Sequence, residues 1–184
     1  MRNQSGFTVM ELLTVVAIIG VMAGMAIASG IEWLPKHRLK SATNDLFSNM
    51  QRAKMAAIKD RSDRAIVFDA SVSPGRYAIC SDDGDDDTWD GGFSGGDDPG
   101  IDTQVVNLVD YRSAIDFGHG NATSPKGSVF GADVTYTVVF NAAGFIDPPS
   151  RYIYLENKDG DTYCVGGLTS GVINTFRWAS GGWN

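Results

Sequence analysis

Cysteine and histidine are scarce in this chain, with two of each among 184 residues. A tetrahedral zinc site needs four ligands. The only histidines are His37, in a basic helical stretch, and His119, in a Gly-His-Gly turn, which argues against such a site. Nucleophile chemistry is equally thin. There is no Gly-x-Ser-x-Gly elbow, and no Gly-rich phosphate loop follows a strand. Catalysis has no support, and an enzyme is not expected. Positive charge is outnumbered, with 15 Lys and Arg against 22 Asp and Glu and a formal net charge of −7. That balance argues against a protein built mainly to coat nucleic acid. Long hydrophobic runs are missing too, with one exception.

A hydrophobic content of 43% excludes full-length disorder, and the length suits one domain with a real core. Glycine is plentiful, at about 12% against an average near 7%, so turns and loops are expected. The mean hydropathy of −0.10 looks like that of a plain soluble protein, but it averages two opposite extremes.

The first extreme is the run 12–31, LLTVVAIIGVMAGMAIASGI, twenty uncharged residues between Glu11 and Glu32. A helix of that length rises roughly 30 Å, the thickness of a bilayer core. A buried core helix is the competing reading, but no other segment is apolar enough to surround it. The leader 1–6 has a single cation, Arg2, and is too short for a secretory n-region and h-region. The small residue Gly6 lies before the run rather than after it, so the run is expected to stay in the mature protein.

Glu11 stands at the mouth of this helix, where an unpartnered carboxylate costs a few kcal/mol. One reading is an interfacial Glu that snorkels into the head groups. The order Gly6-Phe7-Thr8-Val9-Met10-Glu11, followed at once by the apolar run, points elsewhere. It resembles the processing site of type IV pilins and type II secretion pseudopilins. The resemblance implies that a prepilin peptidase cuts between Gly6 and Phe7 and that Phe7 becomes the N-methylated first residue. It also implies that Glu11 is the family's fifth-position Glu, needed for filament assembly. In a packed filament each Glu11 could neutralise the Phe7 amine of a neighbour, removing two unpaired charges from an apolar interior.

Beyond the run, Gly20 and Gly24 have small-xxx-small spacing, and Pro35 is expected to kink or interrupt the helix. Leu39, Ala42, Leu46, Met50, Ala53 and Ala57 then recur at steps of three or four, an apolar stripe suited to packing on the chain's own globular domain. The stretch 36–64 holds eight Lys and Arg against three Asp. By the positive-inside rule that would place it in the cytoplasm. The processing motif puts the C-terminal domain outside, and it is preferred, because the basic residues are interleaved along a helix.

From 65 onward the pattern is that of strands, at 65–68, 76–80, 103–108, 113–117, 134–140, 151–155, 162–165 and 172–178. Asn157-Lys158-Asp159-Gly160 reads as a hairpin turn. The expected fold is α+β: a long N-terminal helix, half membrane-spanning and half amphipathic, packed on an antiparallel β-sandwich or sheet, the lollipop outline of pilins. The expected divisions are a leader at 1–6, a filament-core helix at 7–34, an amphipathic helix at 35–64 and a β-domain at 65–184.

The second extreme is the segment 81–102, with nine Asp, six Gly and no Lys or Arg. Carboxylates around Gly turns are the ligands Ca²⁺ takes, and Asp83, Asp85, Asp87 and Asp90 are the candidates, although their order does not match an EF-hand loop. A solvated acidic loop is the alternative. Trp89 and Phe93 sit inside it and suit covering an edge strand or meeting a partner. Cys80 and Cys164 both fall in expected strands, where an oxidising compartment would permit a disulfide and two buried thiols are the other outcome.

Three further features resemble the GspH/FimT family of minor pilins and pseudopilins. They are Asn44-Asp45-Leu46 with Arg52-Ala53, the run Val139-Phe140-Asn141-Ala142-Ala143-Gly144-Phe145, and a closing strand near Phe176-Arg177. The resemblance implies a minor subunit that helps initiate or cap a type II secretion pseudopilus or type IV pilus. It would be a single-pass protein of the bacterial inner membrane with a periplasmic C-terminal domain. Its partners would be other pilin subunits, the prepilin peptidase, the assembly platform and membrane lipid. An adhesive or DNA-uptake pilin is a second reading; from 159 to 184 the only basic side chain is Arg177, so nucleic acid is not an expected partner. A membrane-tethered Ca²⁺ or ligand-binding module that never polymerises is a third.

Overall fold

The computed structural model describes residues 6–83, 88–89, 91–93, 104–112, 114–126, 135–147 and 151–184, with the side chains of 26–32 and 135 left aside. Helix α1 runs from Val9 to Asp60. Thr8 caps its first turn: the Glu11 N–H donates to Thr8 Oγ1 at 3.2 Å and to the Thr8 carbonyl at 3.1 Å. Arg61, at φ +55°, takes the left-handed conformation that closes a helix, and Arg64 reaches back to Asp60 at 2.8 Å. The expected helical stretch to 64 therefore stops at Asp60. The expected interruption at Pro35 does not occur either, since the helical backbone passes through it. One proline removes one bond of the ladder and costs about 3 kcal/mol, which a helix of 52 residues supports from both sides.

The chain forms two compact units, Met1–Pro35 and Lys36–Asn184. In the first, the described residues from 9 to 35 are all helical.

The second unit holds the rest of α1 and two antiparallel sheets. One sheet contains β1 (Arg64–Asp69), β2 (Arg76–Cys80), β3 (Gln104–Asn107), β5 (Thr135–Phe140) and β6 (Ile146–Asp147), in the order β3-β2-β1-β5-β6. The other contains β4 (Asp116–Phe117), β7 (Tyr152–Glu156), β8 (Thr162–Gly167), β9 (Ile173–Ala179) and β10 (Gly182–Trp183), in the order β10-β9-β8-β7-β4. A 3-10 turn, Leu108–Tyr111, follows β3. All six stripe residues of α1 are 0–3% exposed and share one core with both sheets: Ile66, Phe68, Tyr77, Val138 and Phe140 from the first, Ile153, Leu155, Val165 and Ile173 from the second. The period of two along each strand makes this possible. On β1, Ile66 and Phe68 enter the common core, while Ala65 and Val67 belong to a second cluster.

The architecture is thus α+β, a long helix packed on antiparallel sheets. Seven of the expected strands lie within two residues of an observed one at each end. The eighth, 113–117, shrinks to Asp116–Phe117. The two-residue strands β6 and β10 were not expected, because each is too short to show a period.

Candidate functional site

Gly6, Phe7 and Thr8 precede the first turn of α1 without regular structure. Phe7 is 81% exposed, and a Cβ built on Gly6 would meet nothing within 4 Å. The peptide bond between them is therefore open to an enzyme. Glu11 is exposed in the first turn, where the aligned backbone dipoles favour a negative charge. Thr8-Val9-Met10-Glu11 has the spacing of a capping box, and its Thr8 half is formed. This cap was legible in the sequence and was not read there.

Every residue from 6 to 25 is exposed. Twelve of them are large hydrophobics, Phe7 ahead of the helix and eleven on all sides of it, from Phe7 at 81% to Val15 at 45%. Fully covering one such side chain is worth roughly 1.5–3 kcal/mol. Together they rival the net stability of an ordinary domain, about 5–15 kcal/mol. An apolar surface of this kind is costly to leave in water. The expected membrane run continues into 26–32, whose side chains lie outside those described; among the described residues no helix is long and apolar enough to cross a membrane.

The first 27 residues match the prokaryotic N-terminal methylation motif. That motif is the type IV pilin signal, and it marks a prepilin peptidase substrate that interacts in general with other pilins. It belongs to structural subunits rather than to an enzyme family. Nothing among curated proteins or solved structures matches the chain.

The other candidates fare differently. Asp85, Asp87 and Asp90 lie outside the described residues; Asp83 is half-buried, its carbonyl accepting from the Thr88 N–H at 3.1 Å. Among the described residues no group of three or more His, Cys, Asp or Glu could hold a metal ion. Trp89 and Phe93 do cover a sheet, although not at its edge. They pack on Ala65, Val67, Ala78 and Cys80 of β1 and β2, with the Arg76 guanidinium 4.5 Å from the Phe93 ring centre.

No disulfide joins the cysteines. Cys80 lies in the cluster under Trp89, and Cys164 in another with Tyr152, Tyr154, Phe176 and Trp183 on the second sheet. Each strand turns its cysteine away from the common core, and the two clusters belong to different sheets. Burial pushes the Cys164 thiol up to about 12, against smaller opposing effects of a Phe176 backbone hydrogen bond and Lys126.

The Asn141–Phe145 segment is a tight turn between β5 and β6. Asn141 Oδ1 accepts from the Ala143 and Phe145 N–H groups, each at 3.0 Å. Gly144 takes φ +79°, and a Cβ there would come 2.7 Å from Ile58 Cδ1, so the Ile58 side chain would have to shift. Lys54 Nζ donates to the Gly171 carbonyl at 2.8 Å beside it. This motif locks the end of α1 onto the sheets. Arg177 is half-exposed and lies 3.7 Å from Asp161.

Proposed function

We propose that the chain is a non-catalytic pilin-like subunit of the bacterial inner membrane, cut between Gly6 and Phe7 and methylated on the Phe7 amine. On this reading the segment 7–34 is stored in the bilayer with the β-domain in the periplasm. It is then extracted into a type II secretion pseudopilus or type IV pilus as a minor subunit that helps initiate or cap the filament. The observation that carries the reading is the methylation motif of residues 1–27 sitting on a helix whose large apolar side chains are exposed on every face. A charged residue in such a helix is tolerated where it finds a partner. Glu11 would take the amine of a neighbouring Phe7 and so set the axial register. The prepilin peptidase, other pilin subunits, the assembly platform and lipid are the partners this requires.

Replacing Glu11 tests it. Glu11→Ala should leave processing and membrane storage intact and abolish recovery of the protein in sheared filaments. Wild-type recovery from the variant would overturn the filament role.

A further inference from the structure

Among the described residues, three of the four sheet edges are strands of two residues, β4, β6 and β10. The fourth is β3, which runs for four, Gln104–Asn107. Proteins usually blunt such an edge with a Lys, a Pro or a bulge, because its unpaired backbone groups invite a further strand. Gln104-Val105-Val106-Asn107 has no charge and no proline, and it pairs residue for residue with β2.

The register sets which backbone groups face outward. The Leu108 N–H donates to the Gly75 carbonyl at 3.0 Å. Bonded pairs alternate with non-bonded ones along an antiparallel ladder. Val106 with Tyr77 and Gln104 with Ile79 are therefore bonded pairs, and Val105 and Asn107 turn their N–H and C=O groups away from β2. Among the described residues nothing bonds to those four groups. Gln104, Val105 and Asn107 are exposed, Val105 at 45%, and Val109 just beyond them is 57% exposed. Val106 packs the other way, against the common core.

Charge selects the partner. The segment 81–102, between β2 and β3, holds nine Asp and no Lys or Arg, and Asp102 stands two residues before Gln104. Asp110 is exposed just past the other end. The nearby cations are fewer. Arg76 is held by Asp69 at 2.9 Å and Arg64 by Asp60 at 2.8 Å, which leaves Arg52 beside Gln104 and Arg112 after the 3-10 turn. Such surroundings attract a cationic segment and speed its encounter. Two copies joined edge to edge would bring two of these acidic segments together, which like-charge repulsion opposes.

We infer that β3 is a docking edge for an extended, cationic segment of another protein, which adds to the five-stranded sheet as a sixth strand. Its backbone bonds to Val105 and Asn107, an apolar side chain lies beside Val105, and Lys or Arg side chains meet the acidic surroundings. The edge lies wholly within the second unit, and its use needs no filament.

The test uses the full chain in non-ionic detergent. Exchange of backbone amide protons with water is followed by NMR during titration with a capped octapeptide of alternating Lys and Val, or its counterpart of alternating Glu and Val. The Lys peptide should slow exchange at the Val105 and Asn107 N–H groups saturably and at least tenfold, far more than at Val106, which already bonds to β2. The Glu peptide should leave all three unchanged. Asn107→Pro removes one outward donor without touching the ladder to β2 and should weaken binding at least tenfold. Val105→Lys, at an exposed position, should do the same and carries the test if the proline disturbs the fold. No protection by the Lys peptide, or unweakened binding by a folded variant, would overturn the docking edge. Equal binding of the Glu peptide would overturn the cationic partner. Protection of Val105 and Asn107 that grows with protein concentration alone would make a second copy the occupant and overturn the proposal.

Discussion

Helix α1 meets two opposite fates along its length. Before Pro35 it exposes eleven large apolar side chains from residue 9 to 25; after Pro35 it buries a six-residue stripe at 0–3% exposure. The difference is one of pattern. A stripe at steps of three and four has one apolar face, and the two sheets of the same chain cover it. A helix that is apolar all round cannot be satisfied by one face of one domain and must find cover elsewhere. The stripe contributes to the stability of the fold, and on the proposed function the run serves membrane storage and assembly.

Paired substitutions break or sharpen this contrast. Leu46→Ala should cost the β-domain roughly 2–5 kcal/mol in denaturant unfolding, because Leu46 is fully buried between helix and sheets. Ile18→Ala, the same kind of truncation in the other half, should change domain stability by no more than about 0.5 kcal/mol, as Ile18 is 55% exposed. Equal losses would erase the distinction.

A smaller effect is expected at the turn that fastens the helix end. Gly144→Ala should cost at least about 1–2 kcal/mol, since the new Cβ must adopt φ +79° and meet Ile58.

Smaller still is the contribution of Asp69, buried at the end of β1. Burial works to raise its pKa, but hydrogen bonds from Ser71 and the Arg76 guanidinium at 2.9 Å outweigh it and leave the value lowered. A carboxyl depressed in the folded state stabilises fully above its unfolded value of about 3.9, and that contribution is lost as pH falls through the folded value. Asp69→Asn should remove about 1 kcal/mol near neutrality and flatten the acid limb of a stability–pH curve. An unchanged limb would refute the assignment.

The least perturbing test concerns Cys164. With its thiol pushed up to about 12, it should resist alkylation at pH 8 in the folded protein and react once the domain is unfolded.

Much of this fold was legible from local pattern. The stripe from Leu39 to Ala57 predicted the buried face of the helix, and the strand pattern predicted the places of seven strands. Less legible was anything that depends on distant segments meeting. The junction of Lys54, Gly144 and Gly171 joins residues far apart in sequence, and the placement of the two cysteines in different clusters follows from sheet order, which no single strand encodes. Pro35 shows the converse, a local signal for a kink or an interruption through which the helical backbone continues. At the candidate site, Gly6, Phe7 and Glu11 could be singled out because they lie on one contiguous stretch of chain, which the structure leaves exposed.

On the proposed function the apolar N-terminal segment is a processed assembly element. Intact-mass spectrometry of the protein recovered from bacterial membranes, with and without an active prepilin peptidase, tests it most directly. The prediction is a chain beginning at Phe7 and carrying one added methyl group when the peptidase is active, and the uncut chain beginning at Met1 when it is not. A chain that keeps residues 1–6 in the presence of the peptidase would contradict the account.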